Sequence, residues 1–352
     1  MKKKVLAMAI ASLMLIGLVG CAGKTESKAS LKVGMVTNSG TIDDQSFNQG
    51  TWEGLKEADK KLNTKSNYMK PANETDSEYL TEIQNLYDSG HKFILLPGFK
   101  FEKAVYVAQN KYPDANFVII DGSPTDNDGN VLVGENTAAI YFAEEQAGFI
   151  AAVAAAVELK EGEFGFIGGM KIPSVQRFSA GFQQGIDYAN KNYGTNISLK
   201  QENIVFAGSF SDTALGQQIA ASMYDNGVKA IFTAAGDLGS AVISEAKSRV
   251  VKGNENWVIG VDSDQYNDGI YEENKSVVIT SAIKKINEAA YQMVEKKLNG
   301  EFPGGETITF NASNDGVGIP EKNPNLSNDS VEKANEVLGL IKDGTIEVKT
   351  EV

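Results

Sequence analysis

The chain has 352 residues, of which 42% are hydrophobic and 22% charged, and its formal charge of −13 becomes −16 once residues 1–20, with three lysines and no acid, are set aside. That length accommodates two domains of ordinary size, and so acidic a surface repels nucleic acid. A single cysteine (Cys21) and a single histidine (His91) leave no material for Cys/His zinc sites, histidine triads or structural disulfides, and no G-x-x-x-x-G-K-[ST] phosphate loop is present. A nucleophilic or nucleotide-hydrolysing enzyme is disfavoured on these counts, and no cofactor is called for.

The chain opens on a basic segment, Lys2 to Lys4, followed by an apolar run from Val5 to Val19 and the small-residue site "LVGC" ending at Cys21. This has the order of a lipoprotein signal peptide over residues 1–20, too short and too one-sidedly charged for a stable membrane span. Lipid on Cys21 would anchor the protein outside the cytoplasmic membrane; a plain secretory signal with a buried Cys is the alternative. Residues 21–30 then read as a flexible tether.

From residue 31 strands alternate with helices across short turns, the pattern of parallel sheets covered by helices. Strands are predicted at Lys32–Thr37, Asn67–Lys70, Phe93–Leu96, Asn116–Asp121 and Val131–Glu135, with helices at Ser46–Leu62, Ser77–Ser89 and Phe101–Lys111. An alanine-rich helix, Phe142–Leu159, leads to a second series: strands Phe164–Gly168, Ile204–Gly208, Ala230–Thr233 and Trp257–Asp262, and helices Ser174–Asn192, Thr213–Asn226 and Leu238–Val251. A leftover strand and amphipathic helix in Ser276–Gly300, the run "ETITFNAS" and a last helix Ser330–Lys342 imply that the chain returns to the first lobe and crosses back. The expected architecture is α/β: two doubly wound parallel-sheet lobes, 31–141 with 282–306 and 142–281 with 307–352, joined by a multi-crossing hinge around a cleft.

The candidate site lies in the turns after the strands. "NSGTIDDQSFNQG" (Asn38–Gly50) follows the first strand, and Ser46 with Gln49 forms an S-x-x-Q capping box that starts a helix. Phe47 and Asn48 thereby fall in a first helical turn, where backbone N–H groups and an aromatic face meet at the sheet's carboxyl edge. Phe47 also belongs to a 47, 51, 55, 58, 62 stripe that faces the sheet, so core packing and ligand contact both stand. In the second lobe "AGSFSDTALG" (Ala207–Gly216) repeats the arrangement with Phe210, and two such rings can sandwich a flat ligand. "TAAGDLG" (Thr233–Gly239) brings Gly236 backbone near a ligand and gives Asp237 as a cap, while Asp262 closes a strand where its carboxylate can accept two bonds from a vicinal diol. Lys284, read as the start of the returning helix, is electrostatically disfavoured there and so wants a partner such as Asp262 or a ligand oxygen. The adjacent pairs Asp43/Asp44 and Glu144/Glu145 lack the opposed geometry of hydrolytic carboxylates and read as capping and surface charge. His91 reads as a helix C-terminal cap.

These blocks, taken in order with "GGMKIPSVQRFSAGFQQG" (Gly168–Gly185), "IGVDSDQ" and "SAIKK", resemble the basic membrane lipoprotein family, the purine nucleoside receptor type of ABC-transporter substrate-binding lipoproteins. The resemblance implies a type I periplasmic-binding-protein fold, a monomer that catalyses nothing, a nucleoside held between the lobes, and permease and ATPase partners. It also implies roles: Phe47 and Phe210 sandwiching the base, Asn48 on its polar edge, Asp262 and Lys284 on the ribose hydroxyls, and Gly236 through its backbone. Asn38 stands where the family usually has Asp, and an amide both donates and accepts where a carboxylate only accepts, so a guanosine or inosine preference does not carry over. The alternatives are a sugar or autoinducer receptor on the same fold, a surface nucleosidase, and a surface adhesin.

Overall fold

The structure, a computed structural model, describes residues 30–38 and 40–352. The signal peptide, Cys21 and nearly all of the tether lie outside the described residues. The chain forms β1 (Lys32–Val36), α1 (Phe47–Lys61), β2 (Lys65–Met69), α2 (Asp76–Asp88), β3 (Phe93–Pro97), α3 (Glu102–Lys111), β4 (Asn116–Ile120) and β5 (Thr137–Phe142). The second series is α4 (Glu144–Leu159), β6 (Glu161–Gly168), α5 (Pro173–Tyr193), β7 (Asn196–Phe206), α6 (Thr213–Asp225), β8 (Val228–Ala234), α7 (Asp237–Val250) and β9 (Trp257–Asp262). A small hairpin of β10 (Ile270–Glu272) and β11 (Lys275–Ser276) precedes β12 (Val278–Lys284), α8 (Ile286–Asn299), β13 (Thr307–Phe310), β14 (Val317–Gly318) and α9 (Asn328–Lys342).

Two six-stranded sheets result, in the orders β13-β5-β4-β3-β1-β2 and β14-β12-β9-β8-β6-β7. Their central strands are buried on both faces: β3 reads FILLP and β8 VKAIFTA, apolar runs without the alternation of a half-exposed sheet. Superposing the two orders pairs β1 with β6, β2 with β7, β3 with β8, β4 with β9 and β5 with β12. The duplication expected from the element count is therefore a duplication of strand order.

Three of the expectations change. Val131–Glu135 forms no strand; Val131 makes one isolated bridge to Thr125, and Val131 and Leu132 are exposed. The fifth strand is the next apolar run, TAAIYF, almost wholly buried and parallel to β4, and it takes Phe142 from the predicted helix. Phe142 belongs there because it stacks on Phe310 of the neighbouring β13, with ring centroids 5.3 Å apart. Finally, Thr307–Phe310, expected in the second lobe, pairs with β5 of the first sheet, while Val278–Lys284 completes the second.

The chain thus passes between sheets three times: at Ala143, at Lys285, and through residues 311–316. The passages are tied to one another, Ala143 N–H donating to the Phe310 carbonyl (2.9 Å) and Lys285 N–H to that of Gly316 (3.0 Å). The alanine-rich α4 is buried over nearly its whole length between α5, α9 and β12. Its neighbour comes so close that a Cβ placed on Gly181 of α5 would lie 1.8 Å from the Glu145 carbonyl oxygen. Small side chains on both helices allow that approach, and one apolar cluster runs through α4 and α8 from lobe to lobe.

Candidate functional site

The loop before α1 is held by a residue other than the one expected. Ser46 stands at the N-cap but its hydroxyl makes no cap bond. Asp44 takes the role: one carboxylate accepts from the N–H groups of Ser46 (3.0 Å), Asn48 (2.9 Å) and Gln49 (3.0 Å) and from Asn48 Nδ2 (2.8 Å). A full negative charge answers the helix's free N–H groups better than a hydroxyl does. Asp44 is buried, and that burial pushes its pKa up against the four bonds that favour the charged form. Freed from capping, Ser46 Oγ donates across the lobes to Asp262 Oδ2 (2.5 Å), and Gln49 Oε1 accepts instead from the Gln45 N–H (3.0 Å).

Gln45 has a left-handed backbone, with φ of 56°, which turns it toward the second lobe. Its carbonyl accepts from Ser263 Oγ (3.0 Å) and Gln265 Nε2 (3.1 Å), and its side-chain oxygen from Ser240 Oγ (3.2 Å). Four bonds from one loop therefore cross the cleft.

All seven predicted residues, Asn38, Phe47, Asn48, Phe210, Gly236, Asp262 and Lys284, line one cleft between the lobes that contains about 740 Å³ of empty space, the open solvent at its mouth included. Phe47 meets both of its readings at once, packing against the core while lining the cleft. Asn48 is buried and already engaged: besides its bond to Asp44, its Oδ1 accepts from the Asn38 N–H (3.3 Å). Asn38 lies over Gly98, at which a Cβ would come within 1.8 Å of Asn38 Nδ2. Phe210 comes from the loop after β7, which corresponds to β2, so its turn is not the structural repeat of the Phe47 turn. That repeat is the β6–α5 junction, which brings Ile172 and, from the first turn of α5, Ser174 and Val175 to the cleft wall.

The floor of the cleft is ionic. Lys284 does not begin the returning helix; it ends β12, with only 3% of its surface exposed. Its ammonium donates to Asp121 and to Glu144 Oε1 (2.9 Å), and sits 5.0 Å from the Phe47 ring centroid and 4.9 Å from that of Phe142. Glu144, expected at the surface, is completely buried and its other oxygen accepts from Arg177 Nε (2.6 Å). Burial opposes the Lys284 charge, yet Asp121, Glu144 and Asp262 together overcome it and hold its pKa above the usual lysine range. Burial raises the Asp121 carboxyl most strongly, with Lys284 pulling the other way, and raises Asp262 likewise against Lys284 and the Ser46 bond. Asp121 Oδ1, which is buried, has no hydrogen-bond partner among the described residues.

Asp121 and Asp262 occupy matching places: each stands at the carboxyl end of one of the paired strands β4 and β9, and both have left-handed backbones, with φ of 57° and 64°. The sequence marks Asp262 for the cleft and passes over Asp121, which lines it too, although "VIIDG" and "VIGVDS" both carry an apolar strand that closes on Asp. It also misses Glu144 as a partner of Lys284, and Arg177 as the second cation on Glu144. His91 closes α2 through its backbone N–H, which donates to the Leu86 carbonyl (2.9 Å); its ring pairs with Ser89 Oγ (3.0 Å) rather than with a helix carbonyl. Among the described residues no group of three or more His, Cys, Asp or Glu is placed to hold a metal ion, and no helix is long and apolar enough to cross a membrane.

Residues 31–351 match the family model described as ABC transporter substrate-binding protein PnrA-like. The chain is 34% identical over 368 residues to the ABC transporter nucleoside-binding protein BmpA of Lactococcus lactis, covering 100% of this chain and 97% of that protein. It is 30% identical to basic membrane protein D of Borreliella burgdorferi, covering 96% and 93% of the two chains. Among solved structures, an ABC-transporter solute-binding protein from Aeropyrum pernix is similar with a TM-score of 0.76 at 21% identity, over 91% of this chain and 93% of that one. A glucose-galactose binding protein from Geobacillus stearothermophilus has a TM-score of 0.57 at 16% identity, covering 83% and 98%. Both structural likenesses concern the fold, a pair of α/β lobes of the periplasmic-binding-protein kind. Family match, fold and cleft agree: the chain belongs to the PnrA-like family of ABC-transporter substrate-binding proteins, which capture a small molecule outside the cytoplasm for an importer.

Proposed function

We propose that this protein captures a nucleoside, with purines as the expected class, in the cleft between its lobes, and delivers it to an ABC permease and ATPase while held to the membrane by lipid on Cys21. The observation that carries the reading is the division of the cleft into two chemistries. Phe47 and Phe210 supply aromatic faces from opposite lobes, and a buried floor of Asp262, Asp121 and Lys284 supplies charged hydrogen-bonding groups. A nucleoside has the same division, a flat base and a hydroxylated ribose. Base stacking on an aromatic contributes about 1–3 kcal/mol per contact. The full-length likeness to a relative named for nucleoside binding supports the same ligand class.

In this reading Phe47 and Phe210 enclose the base, Asn48 and Asn38 meet its polar edge, Gly236 contributes backbone, and Asp262 with Lys284 takes the ribose hydroxyls. Ser46 Oγ donates to Asp262 Oδ2 at 2.5 Å, so a ribose diol replaces that bond or shares the carboxylate with it. Closure draws only on the ligand's greater affinity for the closed form.

Calorimetric titration with adenosine, guanosine, inosine, cytidine, their free bases, a 2′,3′-dideoxynucleoside and a panel of pyranoses tests it. Nucleosides are expected to bind and to raise the melting temperature, with free bases and the dideoxynucleoside weaker by roughly 10-fold or more, because a buried acceptor left unpaired is costly. Binding of pyranoses alone overturns the nucleoside reading in favour of a sugar receptor. Equal affinity for guanine and guanosine removes Asp262 from the ribose.

A further inference from the structure

The cleft holds four carboxylates from different elements: Asp44, Asp121, Asp237 and Asp262. Three are occupied. Asp44 caps α1, Asp121 is bound to Lys284, and Asp262 accepts from Ser46. Asp237, the first residue of α7, makes no side-chain hydrogen bond or ion pair among the described residues. It lines the cleft and faces the loop before α1. A Cβ on Gly40 would stand 3.1 Å from Asp237 Oδ2 and 3.9 Å from Asn48 Nδ2, so the carboxylate and the Asn48 amide flank the same glycine. Asp237 is next to Gly236, which in turn approaches Phe210.

The charges around Asp237 leave it in want of a donor. Asp43 and Asp44 on the facing loop repel it, and Lys70, after β2, attracts it only from a distance. It is half-buried, and its pKa is raised most by burial, to which the Asp44 and Asp43 charges add. A carboxylate can only accept, and one unpaired in a closing cleft is stabilised by a ligand that presents N–H groups there.

We infer that Asp237 is a specificity-determining acceptor for the ligand's ring, selecting bases that carry N–H donors on the edge opposite the sugar. This rests on the nucleoside reading above and refines it: amino- and imino-bearing rings are favoured over rings of the same shape that present only acceptors.

The test compares guanosine, inosine and adenosine with purine riboside, which has the same bicycle and ribose and no N–H on its six-membered ring, by calorimetry on the purified protein. The wild type is expected to bind at least one of the first three roughly 10–100-fold more tightly than purine riboside, the range of a charge-assisted hydrogen bond. In Asp237→Ala that ratio falls to about 3-fold or less, with purine riboside affinity changed by less than about 3-fold. Asp237→Asn keeps the shape and a neutral acceptor, and its ratio falls by at least about 3-fold, which decides the matter if the alanine variant does not fold. A wild type that does not discriminate, or folded variants that keep the full ratio, overturns the Asp237 assignment and leaves nucleoside binding intact. Binding of none of the four overturns the nucleoside reading and this inference with it.

Discussion

Lys284 is the residue on which most of the cleft floor depends. Its ammonium compensates Asp121 and Glu144, and it faces the rings of Phe47 and Phe142. Removing one partner of a buried ionic group leaves the others charged and unpaired, at a cost of about 3–5 kcal/mol. Lys284→Met should therefore lower unfolding stability in urea by that order, and adding Asp121→Asn should restore part of it. Glu145 gives a prediction of opposite sign. Its Oε2 is buried without a hydrogen-bond partner, with Arg177 Nε 3.9 Å away, and burial, with the neighbouring Glu144, outweighs that cation and pushes its pKa up to about 7 from an ordinary 4.5. Between those values the folded protein keeps a proton that the unfolded chain has lost. The contribution to stability is thus complete below about pH 4.5 and declines as pH rises to about 7. Glu145→Gln should be more stable than wild type at pH 8 by about 1–3 kcal/mol and equal to it at pH 4.5, in parallel melting curves. At this scale the sequence revealed residues whose role is set by local pattern, such as Phe47 at a first helical turn. The sequence marks Lys284 as needing a partner, but its partners lie 163 and 140 residues away, beyond the reach of any local spacing.

Helices and strands show a similar division between local and tertiary cause. The alanine run of α4 was legible as a long apolar helix because its composition is uniform and its length exceeds a strand's. Val131–Glu135 and Thr137–Phe142 are both short apolar runs with β-branched residues, and periodicity cannot choose between them. Burial against β4 and β13 does. The S46-x-x-Q49 box failed for a related reason: Asp44 outcompetes Ser46 for the same donors, and Asp262, 216 residues further on, claims the hydroxyl. The α4–α5 contact makes its own prediction. Gly181→Ala would place a methyl carbon 1.8 Å from the Glu145 carbonyl, where rigid backbone has to move. Overpacking of this kind costs about 1–3 kcal/mol, and since the start of α5 lines the cleft, a lower melting temperature should come with weaker ligand binding. An unchanged melting temperature would mean that the two helices separate freely.

For the molecule as a whole, the repeated strand and helix alternation gave two lobes, but the points of passage depend on which sheet has an open edge. Strand β13 completes the first sheet beside β5, so the return runs through Phe310, four residues past the expected end at 306. The lobes are held together by the Gln45 loop as well as by the three passages. Ser263→Ala with Gln265→Ala removes both donors to the Gln45 carbonyl. Small-angle scattering of that variant without ligand should give a larger radius of gyration than wild type, and nucleoside affinity should fall by roughly 3–10-fold as part of the binding energy goes into closure. Equal radii would show that the three passages alone fix the lobe angle.

The matched aspartates at the ends of β4 and β9 also predict a proton signature for ligand capture. Burial pushes both carboxyls up from the usual range, Asp121 to about 7 against the pull of Lys284, whereas a ligand that donates to Asp121 favours its charged form. Capture near neutral pH should then expel protons into the medium. The heat of binding would vary with the ionisation enthalpy of the buffer, and Asp121→Asn should reduce that dependence. A receptor built this way holds its ligand more weakly as the surroundings acidify, so import through it would follow the acidity at the cell surface as well as the supply of ligand.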